Sequence, residues 1–211
     1  MIRVVKSKEP PALTEKGYKC DEVKQTLLAD QNEKCYLCER HVDLDFEVEH
    51  LISKHGDGEK INEWDNLFLA CKYCNDRKKH YYDDIPRPNS DNWEDVIEMR
   101  MSPRADKIEF TVNSNEADVM HMVELLEKLH NGKDSMRNLM EERFWKLLRG
   151  AYMAFVRHLK NYLAKPTSDN KELVLSDLSL NAEFLCLKYT FVKSNQHLMD
   201  EFGEYMIWNR K

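Results

Sequence analysis

No stretch of this chain is apolar for long enough to cross a membrane, since the roughly 18 consecutive apolar residues of a spanning helix are nowhere found. The N-terminus, MIRVVKSKEPPALTEKG, lacks the apolar core of a secretory signal, so a cytoplasmic location is expected. Glycine is scarce, with 6 residues in 211, and this scarcity together with a charged fraction of 33% leans toward helix. Positive charge is also in short supply, 32 Lys and Arg against 38 Asp and Glu, for a formal net charge of −6. Affinity for a polyphosphate comes largely from cationic side chains that displace counterions. A free-standing binder of nucleic acid is therefore not expected, and any such affinity must be local or supplied by a partner. Repeats and low-complexity tracts are absent, and 42% hydrophobic residues suffice for a folded core.

The chemistry concentrates between Cys35 and His80. Two Cys-x-x-Cys pairs, Cys35 with Cys38 and Cys71 with Cys74, form a four-thiolate set spaced as in a structural zinc site. Reducing conditions disfavour disulfides and make metal ligation the better use of paired thiols. The other two cysteines, Cys20 and Cys186, read as small buried apolar residues.

Between the pairs, Asp43 to Glu49 alternates apolar and acidic residues, the period of a half-buried strand with Leu44, Phe46 and Val48 on one face and Asp45, Glu47 and Glu49 on the other. His50 follows at its end. A loop with Gly56 and Gly58 leads to a second apolar run, Leu67 to Ala70, which enters Cys71; Lys72 to His80 is polar and basic, compatible with a short helix.

Cys35, Cys38, Glu49, His50, Asn66, Leu67, Cys71, Cys74, Asn75 and Lys78 stand in the order and register of the HNH endonuclease family, which this stretch resembles. The resemblance implies a zinc-clamped ββα-metal unit that hydrolyses phosphodiester bonds. It implies that Glu49 and Asn75 hold a catalytic Mg²⁺ or Mn²⁺, that His50 is the general base and that Asn66 braces the loop presenting it. Hard oxygen donors suit those cations, and an imidazole titrating near neutrality suits the base. Arg77 and Lys78 are expected to hold a substrate phosphate. His55 reads as a surface histidine and His80 as an auxiliary contact at most. The proline common after the acid-His pair is missing, and the loop glycines are interrupted as Gly56-Asp57-Gly58, which bears on loop shape rather than on ligand identity.

The expected class is α+β, with the HNH unit followed by a mainly α-helical C-terminal half. The divisions are an N-terminal arm and short helix over 1–33, the nuclease unit over 34–82, a linker with a short strand over 83–115, and a helical region over 116–211. The arm, with its Pro10-Pro11 pair, reads either as a tail packed on the body or as a docking arm. Helices are expected from about Glu116 to His130, Ser135 to Lys165, Ala182 to Lys193 and His197 to Trp208. The second carries seven Lys or Arg against two Glu, and Arg143, Lys146, Arg149, Arg157 and Lys160 share one side. Such a stripe is either a solvated face or a surface for nucleic acid or an acidic partner.

The layout as a whole is similar to PtuB-type HNH effectors of Septu-like antiphage systems. That resemblance implies a DNA nuclease working with an ABC or SMC-like ATPase, without membrane involvement. An RNase with the same site and a zinc-stabilised binding module with vestigial chemistry are the alternatives.

Overall fold

The computed structural model describes residues 1–42, 44–55, 58–134 and 136–208. The first helix, α1 (Asp21–Asp30), begins where expected and buries Val23 and Leu27. It packs against a hairpin of β1 (Phe46–His50) and β2 (Leu67–Cys71), antiparallel with Phe46 opposite Cys71 and His50 opposite Leu67. Every residue of β2 is buried, as a continuous apolar run requires. Its outer edge is closed by a side chain: the Gln31 amide donates to the Leu69 carbonyl and accepts from the Leu69 N–H. Helix α2 (Lys72–Lys78) follows β2 directly and lies across the hairpin.

The expected strand start at Asp43 lies outside the described residues, as do Gly56 and Asp57 of the loop and Ser135 of the long helix. Leu44 does not share the half-buried face, because β1 begins two residues later and leaves its side chain 96% exposed.

The first residues pack on the body. Met1, Ile2 and Val4 are buried, the Val4 N–H donates to Pro88, and Ser7 is held by Asp30. Lys6 reaches the carbonyls of Trp64 and Leu67 under the Trp64 ring. The start of the arm therefore packs on the body, while Val5 and Leu13 stay exposed.

The segment read as a linker is also structural. It contains α3 (Trp93–Val96) and a second antiparallel hairpin of β3 (Ile97–Met101) and β4 (Ile108–Val112). Trp93, Ile97, Met99 and Ile108 are buried in the same core as the first hairpin. The prolines that suggested a linker only turn the chain.

Five helices complete the fold: α4 (Ala117–Asn131), α5 (Leu139–Ala164), α6 (Ser168–Asp177), α7 (Leu185–Lys193) and α8 (Gln196–Phe202). Helix α5 starts four residues later than expected, where Asn138 and Glu141 form a reciprocal capping box. Gly132 ends α4 at φ +87°, a conformation that glycine adopts without strain. Helices α4 and α5 buttress α2 from behind. Tyr73 stacks on Phe144 at 4.9 Å and donates to the Leu129 carbonyl. The helical half thus sets the angle at which α2 meets the hairpin.

Candidate metal centre and nuclease cleft

Cys35 and Cys38 sit in a knuckle before β1, closed by Cys35 N–H to Arg40 and Glu39 N–H to Cys35. Cys71 ends β2 and Cys74 lies in the first turn of α2. All four are buried, their sulfurs fall within 4.8 Å of one another, and Cys38 and Cys71 are 3.9 Å apart. A tetrahedral zinc with Zn–S of about 2.3 Å places sulfurs roughly 3.8 Å apart, so the cluster fits a structural zinc ion. Burial pushes the Cys38 and Cys74 thiols up, while hydrogen bonds from the other three sulfurs pull Cys71 down. Four thiolates in one buried site need a cation to balance them.

His50 stands at the end of β1, opening onto a cleft of about 640 Å³. Its Nε2 lies 2.9 Å from the Ile61 carbonyl. A carbonyl only accepts, so Nε2 carries the proton and the neutral ring keeps its lone pair on Nδ1. The following loop is gathered by Asn66, whose Oδ1 accepts from Ile52 N–H at 2.8 Å and whose amide donates to the carbonyls of Ile52 and Lys60. Burial lowers the His50 pKa, opposed by its bond to Ile61 and helped by the Lys54 and Lys78 charges.

The pleat turns Glu47 and Glu49 to the same side of β1, and α2 covers that side. The Asn75 amide donates to Glu47 Oε2 at the cleft wall. Glu49 is buried, with Oε1 2.8 Å from Lys78 Nζ and Oε2 accepting from the Tyr36 hydroxyl at 2.8 Å. Burial raises its pKa, against the pull of Lys78 and Tyr36. A carboxylate offers about four lone-pair directions, so these two bonds leave capacity toward the cleft that Glu49 also lines. Glu47, Glu49 and Asn75 are the oxygen-bearing side chains of this wall of the cleft, the type of donor that Mg²⁺ and Mn²⁺ take. Sequence reasoning passed over Glu47, although its shared face with Glu49 was available as a signal.

Two expectations are corrected. Lys78 does not reach outward to a phosphate: it is 0% exposed, pairs with Glu49 and donates to the carbonyls of His50 and Leu51. A lysine buried this deeply needs a carboxylate partner, and its charge is used up in that pair. Arg77 lies 3.7 Å over the Tyr73 ring and 3.6 Å from Glu141, tying α2 to α5. Cations that do face the cleft are Lys19, Lys24, Lys54 and Lys79. His55 and His80 also line it, 6.1 Å apart, and both are exposed, as expected of surface histidines.

The site thus joins a hairpin and a short helix through four cysteines, with His50, Glu47, Glu49 and Asn75 lining one cleft. Residues 35–81 match the family model of the HNH endonuclease, so the chain carries an HNH endonuclease domain. Comparison with curated proteins and with solved structures found no match.

Proposed function

We propose that the chain cleaves DNA, with His50 as the general base. The observation that carries this reading is the tethering of His50 Nε2 to Ile61, which leaves Nδ1 as the proton acceptor in a cleft walled by Glu47, Glu49 and Asn75. A water molecule gives its proton to Nδ1 as its oxygen bonds to phosphorus; the P–O3′ bond breaks, and the leaving oxygen takes a proton from solvent. Products are a 5′-phosphate and a 3′-hydroxyl. A divalent cation held by Asn75, Glu47 and Glu49 would supply charge neutralisation at the phosphoryl and leaving oxygens. Asn66 and Lys78 keep the His50 backbone in place by bonding the residues that follow it.

The chain is further proposed to act as the nuclease of an antiphage complex with an ABC or SMC-like ATPase. Two features support a partner: the net charge of −6, and the exposed cations Arg143, Lys146, Arg149, Arg157 and Lys160 along α5. A partner would add the grip on DNA that the acidic chain has little of. Isolation of the native protein at physiological concentration without any co-purifying ATPase overturns that part.

The direct test is nicking of supercoiled plasmid with Mg²⁺ or Mn²⁺ by the wild type and by His50→Ala. Loss of roughly 10²- to 10⁴-fold in the variant, with zinc content unchanged, is expected. Equal activity overturns the assignment of His50. Cleavage of single-stranded RNA with no nicking of plasmid would move the substrate from DNA to RNA, since the cleft is built around the phosphodiester and not the sugar.

A further inference from the structure

The matched nuclease segment starts at Cys35, yet part of the cleft wall comes from upstream of it. Tyr18 lies in a 3-10 turn, Gly17–Lys19, and sets its ring edge-on to His50 with centroids 4.6 Å apart. The turn is fixed in place: Tyr18 N–H donates to Asn62 Oδ1 at 3.0 Å, and Gly17 adopts φ +56°. A Cβ at position 17 would stand 2.6 Å from that same Asn62 oxygen, so both the backbone conformation and the close approach require glycine. Asn62 follows Ile61, whose carbonyl holds the His50 ring. One short segment therefore positions both the base and the turn that faces it.

Two cations converge on this turn. Lys54 Nζ lies 4.5 Å from the Tyr18 ring centroid and donates to the Tyr18 hydroxyl, while Lys19 Nζ lies 5.7 Å from the same centroid. Both lysines are exposed, and neither enters an ion pair among the described residues. Lys24, by contrast, is paired with Asp21 at 3.0 Å. Two ammonium groups held at one aromatic ring offer an anion two cationic partners at the cleft wall. Lys78 and Arg77 are committed to the interior; of the cleft-lining cations that remain, Lys79 stands on α2, and Lys19 and Lys54 are the two set against the ring that packs on His50.

We propose that Lys19 and Lys54, gathered over Tyr18 beside His50, bind a backbone phosphate of the nucleic acid next to the scissile one, so that Gly17–Lys19 is a second wall of the active cleft. The inference rests on the nuclease reading and specifies where its substrate lies. Tyr18 is a positioning residue: its ring limits rotation of the imidazole and its hydroxyl orients Lys54.

The test uses the full-length chain and a short DNA duplex. Binding is measured against salt in a His50→Ala background, so that the readout does not depend on cleavage. Lys19→Met and Lys54→Met are expected each to lower the slope of log affinity against log salt by about one unit and to weaken binding, while Lys72→Met, whose lysine pairs with Asp76 away from the cleft, shifts it less. In the active chain, the double Lys19→Met, Lys54→Met variant raises KM by a larger factor than it changes kcat; Tyr18→Leu lowers kcat, and Tyr18→Phe restores it. Salt slopes equal to that of Lys72→Met overturn the proposed phosphate site even if His50→Ala is inactive. Retained cleavage by His50→Ala overturns the nuclease reading of His50 instead, and the binding slopes still report on the lysines.

Discussion

Glu47 and Glu49 differ by two positions and by environment. Glu47 is half-buried at the cleft wall beside Asn75, whereas Glu49 is buried between a lysine and a phenol. Neutralising each should separate catalysis from stability. Glu47→Gln is expected to lower cation-dependent cleavage by roughly hundredfold while costing less than about 1 kcal/mol of stability. Glu49→Gln removes the 2.8 Å partner of the buried Lys78 and leaves it only Asp83 at 3.9 Å, and breaking a buried pair costs about 3 to 5 kcal/mol. Urea melts alongside nicking assays read both quantities. Equal stability losses in the two variants would refute the division of labour.

At the level of elements, the thiol cluster links three pieces: the knuckle, the end of β2 and the start of α2. Helix α2 spans only seven residues, shorter than an isolated helix of about 12 residues that is itself marginal in water. Its stability must come from the thiol clamp on one side and from Tyr73 and Arg77 against α4 and α5 on the other. One zinc per chain is expected by elemental analysis, and Cys74→Ser should lower that content and abolish nicking. Far-UV circular dichroism should change little, because the long helices lie outside the clamp; a global loss of helix in Cys74→Ser would contradict this.

Across the whole molecule, one hydrophobic core runs from the first residues through both hairpins to the last helix, and His130 sits inside it between Phe110 and Phe144. Burial pushes its pKa down to about 4 from an ordinary 6.5, and its Nδ1 donates to the Leu126 carbonyl. Above pH 6.5 neither the folded nor the unfolded chain protonates it. Below that the unfolded chain takes a proton that the folded chain refuses, so stability falls between pH 6.5 and 4 by up to about 3 kcal/mol and then levels off. His130→Leu should lose less stability than the wild type between pH 7 and pH 4.5, measured by urea denaturation at both. Parallel pH dependences would show that His130 does not carry this effect.

The parts of this fold that were legible in the sequence are those with strong local pattern. The thiol pairs and the alternation into His50 each declare themselves within a few residues. Helix α6 was missed because only Val174 of its ten residues is fully buried, so it has no apolar stripe to read. Strand β3 was missed although Ile97, Met99 and Met101 alternate with Glu98 and Arg100, because the alternation lasts only five residues. The burial of Lys78 could not be read locally, since a lysine in a basic run looks solvated until Glu49 is known to lie opposite. Tyr18 gave no signal at all, being separated from His50 along the chain and joined to it only through Asn62.

The Gln31 side chain that closes the outer edge of β2 has a consequence for how copies of the protein behave in a crowded solution. A strand as apolar as Leu67–Cys71, with its hydrogen-bonding edge bare, would recruit the equivalent strand of a neighbour and seed fibrous assemblies. By filling the position that a third strand's backbone would take, the Gln31 amide, with the Tyr36 N–H and Lys6 beside it, keeps a sticky segment from templating its own copies.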